Sequence, residues 1–374
     1  MADHILIAGA GPVGLAAAVE LTRRGLAVRI VDAGEGPTPT EQSRALGILP
    51  TTLAVLAESG VSARLLAEGA RIGGADVARD GRRLFSIEFA AARTPTPFVL
   101  SLPQGRTERI MIDWLEARSV RVEWTLALED IVDTHRPRAL LSNGESVATR
   151  AVIGCDGIHS RVRETVGIPW RGEGYPGRFS LADVRFSAPI DTTRATVNIR
   201  SGIGAAALLP FGPHAGRFIG IGGEPEALYD GVEGIEAVTW ASSFSVSFRR
   251  AERMAKGRVF LAGDAAHVHS PVGGRGMNLG IWDAATLAFL LSEGRETEYE
   301  TQRLPVVDQV LKATRQMTDT VSNRSGTALR LMPYAMPLAN RIPVLSRRIA
   351  ERGLALDLKQ PEWLADDAVR SRGG

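Results

Sequence analysis

A glycine-rich turn near the start of the chain constrains its fold more than any other feature. Residues 5–8 form a short apolar run, and the sequence GAGPVG follows directly at residues 9–14. Residues 15–24 are rich in Ala and Leu and predict a helix, which Gly25 ends, and residues 28–31 are apolar again. This order predicts a strand–helix–strand unit of about 30 residues with buried parallel strands.

The glycines of this turn have separate physical roles. Gly9 permits a sharp turn out of the strand, Gly11 lets the backbone approach a pyrophosphate, and Gly14 lets the helix pack close to the sheet. The N–H groups at the start of the helix favour phosphate charge. Asp32 lies 18 residues after Gly14, where a carboxylate can bind an adenosine ribose and disfavours NADP. The unit predicts a dinucleotide site, and by itself it does not separate NAD from FAD.

Other segments extend the same pattern. Residues 151–154 and 258–262 are short apolar runs typical of buried strands. Residues 73–103 and 179–223 alternate apolar and polar residues between turn signals, which predicts antiparallel strands. We therefore predict an α/β fold. It consists of a Rossmann-like domain with a parallel sheet, an inserted and mostly antiparallel β-sheet domain, and C-terminal helices.

Composition and charge exclude several classes of protein. The 374 residues are 44% hydrophobic and 23% charged, as in globular proteins, and no uncharged apolar run of about 18 residues predicts a membrane span. The 44 basic and 42 acidic residues nearly balance, so we expect no nucleic-acid partner. Cys155 is the single cysteine, which excludes an intramolecular disulfide and a thiolate zinc site. The first residues carry no secretion signal, and we expect a cytoplasmic protein.

Two further features have more than one interpretation. His267 and His269 could ligate a metal, but no third ligand lies near them in the sequence, and we expect histidines that pack in a loop and no metal. Residues 303–352 carry nine Lys or Arg and three Asp or Glu. We interpret this stretch as a solvated helical face, and the alternative is a docking surface for an anionic partner.

A second glycine-rich segment follows the apolar run at residues 258–262. It is GDAAHVHSPVGGRGMNLG, residues 263–280, and it leads into a predicted helix. Asp264 ends a strand and can accept hydrogen bonds from a polyol chain in the crevice where such sheets bind ligands. Four glycines in residues 273–280 let the backbone approach a flat ligand. The helix N-terminus favours an anion such as the pyrimidine edge of a reduced flavin.

Three motifs in this order resemble the group A FAD-dependent monooxygenases, which include p-hydroxybenzoate hydroxylase and the aromatic polyketide hydroxylases. They are the turn at 9–14, GCDGIHSRVR at 154–163 and the segment at 263–280. SRALGILPTTLAVLAESG at 43–60 and LPQGRTERIM at 102–111 are most similar to the polyketide-hydroxylase branch. The resemblance implies an FAD-dependent monooxygenase with NAD(P)H as transient reductant. It implies hydroxylation of an aromatic or polyketide-like small molecule by molecular oxygen through a flavin hydroperoxide.

The resemblance also implies roles for individual residues. Arg44 would reach the FAD phosphates or ribityl chain, Gln104 the flavin side of the cofactor, and Asp264 the ribityl hydroxyls. Asp156 belongs to a motif associated with both FAD and NAD(P)H and would act through its neighbours. No catalytic side chain is predicted, since the cofactor carries the chemistry. The implied cofactor-binding residues are Gly9, Gly11, Pro12, Val13, Gly14, Asp32, Arg44, Gln104, Asp156, Asp264, Gly274, Gly276, Met277 and Asn278.

The same reasoning predicts the domain boundaries and leaves two alternatives. We expect a discontinuous FAD-binding domain, a substrate domain and a C-terminal helical region. Their residues are 1–72, 104–175 and 256–295; 73–103 and 176–255; and 296–374. The alternatives are an FAD-dependent oxidoreductase of the same fold that inserts no oxygen, and a non-catalytic FAD-binding accessory protein. Oxygen appearing in a product would separate the monooxygenase from both.

Overall fold

The computed structural model describes residues 4–39, 45–200, 204–322 and 327–364. The strands are β1 (Ile5–Ala8), β2 (Val28–Val31), β3 (Gly47–Ile48), β4 (Ala70–Ile72), β5 (Gly74–Arg79), β6 (Arg82–Glu88), β7 (Val99–Ser101), β8 (Val122–Glu123), β9 (Leu128–Ile131), β10 (Arg138–Leu141), β11 (Ser146–Ala148), β12 (Ala151–Gly154), β13 (Trp170–Phe186), β14 (Arg194–Arg200), β15 (Gly204–Gly212), β16 (Ala215–Ile221), β17 (Ile235–Ala251), β18 (Ala255–Lys256), β19 (Val259–Leu261) and β20 (His267–Val268). The helices are α1 (Pro12–Arg23), α2 (Pro50–Val55), α3 (Val61–Glu68), α4 (Gln104–Glu116), α5 (Arg161–Thr165), α6 (Glu226–Tyr229), α7 (Gly276–Ser292), α8 (Tyr299–Ser322), α9 (Thr327–Asn340) and α10 (Pro343–Gly353).

The first sheet has the strand order β18-β19-β12-β1-β2-β8. β1 lies between β12 and β2 and pairs in parallel with both, and β19 and β8 continue the parallel pairing outward. All four residues of β1 are buried, as its apolar sequence predicts. Helix α1 packs against α4 and α7 on this sheet. The predicted Rossmann-like domain with a parallel sheet is confirmed.

The second sheet has the order β20-β17-β13-β16-β15-β14-β5-β6 and pairs antiparallel except between β14 and β5. The sequence predicts short alternating strands over residues 179–223, but β13 is a single strand of 17 residues that begins at Trp170. The register of β13 against β17 shifts between Gly174 and Arg178. Such a bulge lets a long strand bend across its turn-like residues without ending. The predicted antiparallel sheet is confirmed, although its central strands are longer than expected.

Alternation along β13 gives this sheet two different faces. Ala182, Val184 and Phe186 point to one face, where they form a small core with Phe218 and Leu228. Phe179 points to the other face and packs with Val246, Phe248 and the partly buried Val272. Val272 belongs to the second glycine-rich segment. This second face therefore looks towards the carboxyl end of the parallel sheet.

The C-terminal helices complete the core. Val306, Val307 and Val310 of α8 are buried in the main hydrophobic cluster. The buried Tyr299 hydroxyl donates a hydrogen bond to the carbonyl of Leu261 at 2.8 Å, which ties the start of α8 to β19. Within the described ranges, no helix has both the length and the apolar character that crossing a membrane requires.

Candidate cofactor site

The fold requires two of the three glycines in the first glycine-rich turn and does not require the third. A Cβ at Gly9, where φ is 101°, would lie 2.9 Å from the backbone nitrogen of Asp156. A Cβ at Gly14 would overlap the carbonyl oxygen of Gly9. At Gly11, no atom of the described residues lies within 4 Å of an added Cβ. Gly9 and Gly14 are therefore required by packing, whereas Gly11 faces open space.

Helix α1 points its N-terminus at that open space. Gly11 is its N-cap, Pro12 is its first residue, and no side chain caps it. The first N–H groups of a helix have no partner inside the helix, and they carry partial positive charge. This arrangement is suited to a phosphate.

Asp32 binds the backbone of the first glycine-rich turn and of the loop that follows β2. Its Oδ2 accepts a hydrogen bond from the N–H of Ala10 at 2.6 Å, and its Oδ1 accepts one from the N–H of Gly34 at 2.7 Å. A carboxylate has about four acceptor positions, so both oxygens can still accept a ribose hydroxyl. Asp32 thus shapes the turn in addition to the role that the sequence predicts for it.

The two glycine-rich segments meet at Val13. A Cβ at Gly280 would lie 2.5 Å from Cγ2 of Val13, and a Cβ at Gly263, where φ is 63°, would lie 2.8 Å from the same atom. Val13 of α1 packs closely against α7 and against the turn at Gly263 because these glycines have no side chain. The structure therefore brings the first turn and the second segment together, although about 250 residues separate them in the sequence.

The third motif joins the same place. The N–H of Cys155 donates to the carbonyl of Ala8 at 2.7 Å. Asp156 follows, and its Oδ2 accepts a hydrogen bond from the N–H of Val162 at 3.0 Å, while burial raises the pKa of its carboxyl group. Arg163 donates to the carbonyl of Ala265 at 3.0 Å. The motif thus connects the first glycine-rich turn to the second glycine-rich segment, and the indirect role of Asp156 stays a prediction.

Asp264 lies exposed in a short 3₁₀ turn, Gly263–Ala265. Beneath this turn the buried carboxylate of Asp283 accepts hydrogen bonds from Nε2 of His267 at 2.6 Å and from Nε of Arg303 at 2.7 Å. It also accepts one from the N–H of Gly263 at 3.2 Å. Burial alone would raise the pKa of Asp283, but Arg303 and His267 lower it below its usual value. This cluster fixes the backbone that presents Asp264.

His267 is therefore more than the loop-packing histidine that the sequence predicts, because it forms a hydrogen bond with the buried carboxylate of Asp283 inside the core. His269 donates or accepts through Nδ1 at the carbonyl of Ser270, 2.8 Å away. In the part of the chain that the structure describes, no group of three or more His, Cys, Asp or Glu side chains is arranged to hold a metal ion.

Both polar atoms of the Asn278 side chain form their hydrogen bonds within the protein. Its Oδ1 accepts from the N–H of Leu49 and from the hydroxyl of Thr52, at 2.8 and 2.7 Å. Its Nδ2 donates to the carbonyls of Gly47 and Gly274, both at 2.8 Å. Only the backbone N–H of Asn278, in the first turn of α7, is left for a ligand.

The remaining residues of this segment surround the same helix start. Gly276 and Met277 are the first residues of α7, and both are half-buried. Gly274 is exposed and has a φ of 61°, in the left-handed region that favours glycine. Together with Asn278 they present backbone rather than side chains to the crevice.

Gln104 belongs to a separate polar group at the start of α4. Its Nε2 donates to Oε1 of Glu108 at 2.8 Å, and its Oε1 accepts from the N–H of Ala45 at 3.3 Å. Glu108 also accepts from the N–H of Thr38 at 2.9 Å, and burial raises the pKa of its carboxyl group. These bonds hold the loop that follows β2. Arg44, predicted in the same loop, lies outside the described residues.

Sequence reasoning missed the buried ionic residues that support the site. Asp283 is a lone acid within an apolar stretch of α7, and such a residue in a buried helix must find a partner. That signal was available in the sequence. The partner Arg303 and the bond from Arg163 to residue 265 depend on how distant segments pack.

Aromatic side chains cover the other side of the crevice. The rings of Phe179 and Phe244 are stacked with centroids 6.1 Å apart, and those of Tyr175 and Phe248 meet edge to face at 5.7 Å. Val272 packs against the same cluster. We call these four rings the aromatic cluster. An apolar wall of this kind beside the second glycine-rich segment can bind a flat ring and exclude water.

The chain is similar to known proteins in sequence and in fold. The model of the family described as FAD binding domain matches residues 3–209 and 229–314. The chain is 35% identical to 6-methylpretetramide 4-monooxygenase of Streptomyces rimosus over 384 residues, 94% of this chain and 68% of that one. It is 29% identical to rifampicin monooxygenase of Streptomyces venezuelae, over 98% of this chain and 82% of that one. The structure of the anhydrotetracycline hydroxylase OxyS of Streptomyces rimosus superposes with a TM-score of 0.78 at 28% identity, covering 96% of this chain and 77% of that one.

Proposed function

Because the chain belongs to the FAD binding domain family and is an FAD-dependent monooxygenase, we propose that it hydroxylates an aromatic or polyketide-like small molecule. The resemblance to group A monooxygenases, the FAD cofactor and the monooxygenase reaction are confirmed by the comparisons. NAD(P)H as the reductant is typical of this family. The cytoplasmic location and the domain boundaries stay predictions.

The two glycine-rich segments support a single position for FAD. The open space at Gly11, in front of the start of α1, would take the pyrophosphate, with Asp32 at the adenosine ribose. Asp264 would bind the ribityl chain. The start of α7, beside Gly274, would lie along the flavin ring. The contact between Val13 and Gly263 supports one ligand that spans both segments.

Bound FAD supplies hydride acceptance and oxygen activation, and the chain's own groups position the reactants. The N-terminus of α7 favours negative charge on the pyrimidine edge of the ring by about 0.3–2 kcal/mol. The aromatic cluster binds the substrate ring and keeps water away from it. No described side chain needs to act as a nucleophile in this proposal. The aromatic cluster and the helix N-termini orient the substrate and the flavin.

The aromatic cluster is the single observation that carries the substrate class. Its rings lie on the sheet face that looks towards Val272, so a flat substrate would be held against the flavin side of the crevice. Two similar proteins are named for 6-methylpretetramide and anhydrotetracycline. These names support an aromatic or polyketide-like substrate here.

The test is oxygen transfer. Purified holoenzyme is given NAD(P)H and ¹⁸O₂ with a panel of phenols and polycyclic phenols, and the products are analysed by mass spectrometry. We expect at least one compound to stimulate NAD(P)H oxidation and to gain one ¹⁸O atom. If reduction proceeds but hydrogen peroxide is the only oxygen product with every compound, the oxidoreductase without oxygen insertion replaces our proposal.

A matched pair of variants tests the role of the aromatic cluster. Phe244→Ala removes a ring that faces Val272, and we expect a higher KM for the aromatic substrate. Tyr229→Ala removes a ring that packs with Phe218 on the opposite face of the same sheet, and we expect KM to stay unchanged. Equal effects of both variants would contradict the position of the substrate.

A further inference from the structure

A further cleft opens beside the aromatic cluster, and Phe248 belongs to both. It has a volume of about 280 Å³ and lies between the start of β13, the end of β17 and α8. We call it the basic cleft, and its lining includes the cations Arg171, Arg250, Lys312 and Arg315 with the apolar Phe248 and Leu311. Its size is at the lower end for a ligand pocket and suits one or two rings.

The apolar part of the basic cleft is continuous with the aromatic cluster. Phe248 lines the cleft and also packs with Phe179 and Val246 in that cluster. Leu311 of α8 likewise lines the cleft and packs against the cluster. A ring in the basic cleft would therefore contact the same apolar cluster that Val272 contacts elsewhere.

The floor of the basic cleft is backbone. Gly172 of β13 has a φ of 115°, and a Cβ there would overlap the carbonyl oxygen of Phe248. Any side chain at this position would separate β13 from β17. Glycine at residue 172 thus keeps the two strands close beneath the cleft and leaves its volume free of a side chain.

The charges around the basic cleft leave an excess of cations. Arg315 pairs with Glu173 at 2.6 Å and lies 5.7 Å from the ring centre of Phe248, and Glu173 is 63% exposed. Lys312 forms no ion pair with any residue that the structure describes. Exposed ion pairs are weak because water screens them. An anion in the cleft can therefore compete for Arg315 and can bind Lys312 without displacing an acid.

The acids near the other two cations are also exposed. Arg250 pairs with Asp308, which is 53% exposed, and Arg171 pairs with Glu252, which is 40% exposed. Lys312 and Arg315 belong to the basic stretch at residues 303–352, for which the sequence leaves open a docking role for an anion. The proposed hydroxylation does not use any of these cations.

We propose that the basic cleft binds an aromatic anion, a ring that carries a carboxylate or a phenolate. The ring lies against Phe248 and Leu311, and the negative charge lies between Arg315 and Lys312. The proposal rests on the proposed function and deepens it, because it states that the substrate or product is an anion when it lies along the aromatic cluster.

The test compares two ligands that differ in charge. Binding of 2-naphthoate and of neutral 2-naphthamide to the holoenzyme is measured by calorimetry and by saturation-transfer NMR, without NAD(P)H and at low ionic strength. We expect 2-naphthoate to bind about tenfold more tightly than 2-naphthamide, and added salt to remove most of the difference. We expect acetate to bind more weakly than 2-naphthoate, since it has no ring. Equal affinities for naphthoate and naphthamide, or for naphthoate and acetate, would overturn the proposal.

Charge variants place the binding in the basic cleft. Lys312→Gln and Arg315→Gln each remove one exposed cation, and we expect each to weaken 2-naphthoate about 3- to 5-fold and both together about tenfold. Arg185→Gln is the matched control, because Arg185 is also exposed and pairs with Glu236 away from the cleft. An equal effect of Arg185→Gln would show a general charge effect and would refute the site.

The two proposals fail in different ways. The binding measurement requires no turnover, so a protein that binds 2-naphthoate but transfers no oxygen would contradict only the proposed hydroxylation. A protein that transfers oxygen but shows no dependence on Lys312 and Arg315 would contradict only the basic cleft.

Discussion

Replacing Gly11 by Ala tests cofactor binding separately from the stability of the fold. No atom of the described residues lies within 4 Å of the added methyl group. Gly11 has a φ of −70° and a ψ of −177°, which alanine adopts without strain. The substitution should therefore leave the protein intact and obstruct only what lies in front of α1.

The expected magnitudes follow from this geometry. Alanine reduces the freedom of the unfolded chain, which stabilises by about 0.4–1 kcal/mol, and it is a poorer N-cap than glycine by about 0.5 kcal/mol. These contributions oppose each other, so the free energy of unfolding should change by less than about 1 kcal/mol. A chain of 374 residues has an unfolding entropy of about 0.8 kcal/mol per degree, so Tm should move by about 1 °C. A methyl group against a pyrophosphate costs about 1–3 kcal/mol, which weakens FAD about 5- to 150-fold.

The assay measures both quantities on the same samples. Apoprotein is prepared by removing the flavin, Tm is measured by calorimetry, and the Kd for FAD is measured by flavin fluorescence. Gly14→Ala should lower Tm strongly, because its methyl group would overlap the carbonyl of Gly9. Gly174→Ala is the matched control, since its methyl group also meets open space but lies on β13. If Gly11→Ala binds FAD as tightly as the unchanged protein, the pyrophosphate does not lie at Gly11.

Three further perturbations test the supporting residues. Asp283→Asn leaves the buried guanidinium of Arg303 without a carboxylate partner, at a cost of about 3–5 kcal/mol, so Tm should fall by about 4–6 °C. The control Glu236→Gln changes an exposed ion pair and should leave Tm within about 1 °C. Equal shifts of Tm in calorimetry would contradict the buried network. Burial lowers the pKa of His269 to about 4, so between about pH 6.5 and 4 the unfolded chain binds more protons than the folded chain. The free energy of unfolding therefore decreases as the pH is lowered through this range, by up to about 1.4 kcal/mol per pH unit. Urea unfolding at pH 7 and pH 5 should show that His269→Gln removes this part of the fall, and identical profiles would refute it. Asp32→Ala removes two charge-assisted hydrogen bonds to backbone and should weaken FAD about 10- to 100-fold in the fluorescence titration, and an unchanged Kd would remove Asp32 from the site.

Local sequence predicts the first strand, turn and helix of the fold well. The strand, turn and helix from β1 to α1 form within about 30 consecutive residues, and each glycine has a local reason to be there. The role of Asp32 at an adenosine ribose is predicted from spacing alone and stays a prediction. The buried strands β12 and β19 were predicted from short apolar runs, and in the structure β12 pairs with β1 and β19 pairs with β12.

Contacts between distant residues could not be predicted in the same way. Asn278 bonds Thr52, which lies 226 positions earlier, so its side chain supports the fold and only its backbone faces the crevice. Asp283 could be expected to need a partner, but nothing in the sequence selects Arg303 over the other arginines. The extent of β13 was also missed, because the bulge after Gly174 replaces the break that its turn-like residues suggest.

The basic cleft shows the same limit of sequence reasoning. The basic stretch at residues 303–352 was visible in the sequence, but its wall of Phe248 and its floor at Gly172 come from strands that lie far from it along the chain. Charge alone favoured a solvated face. The combination of charge with an apolar wall exists only after β13, β17 and α8 have packed together.

The most direct test of the account is the identity of the flavin that the purified protein carries. Two segments that meet at Val13 and Gly263 should hold the adenosine, pyrophosphate and flavin parts of one molecule. We expect a yellow protein that releases FAD on denaturation, in a ratio near one per chain. Its apoprotein should bind FAD far more tightly than FMN or riboflavin in a fluorescence titration. A colourless protein whose apoprotein takes up none of the three flavins would contradict the account.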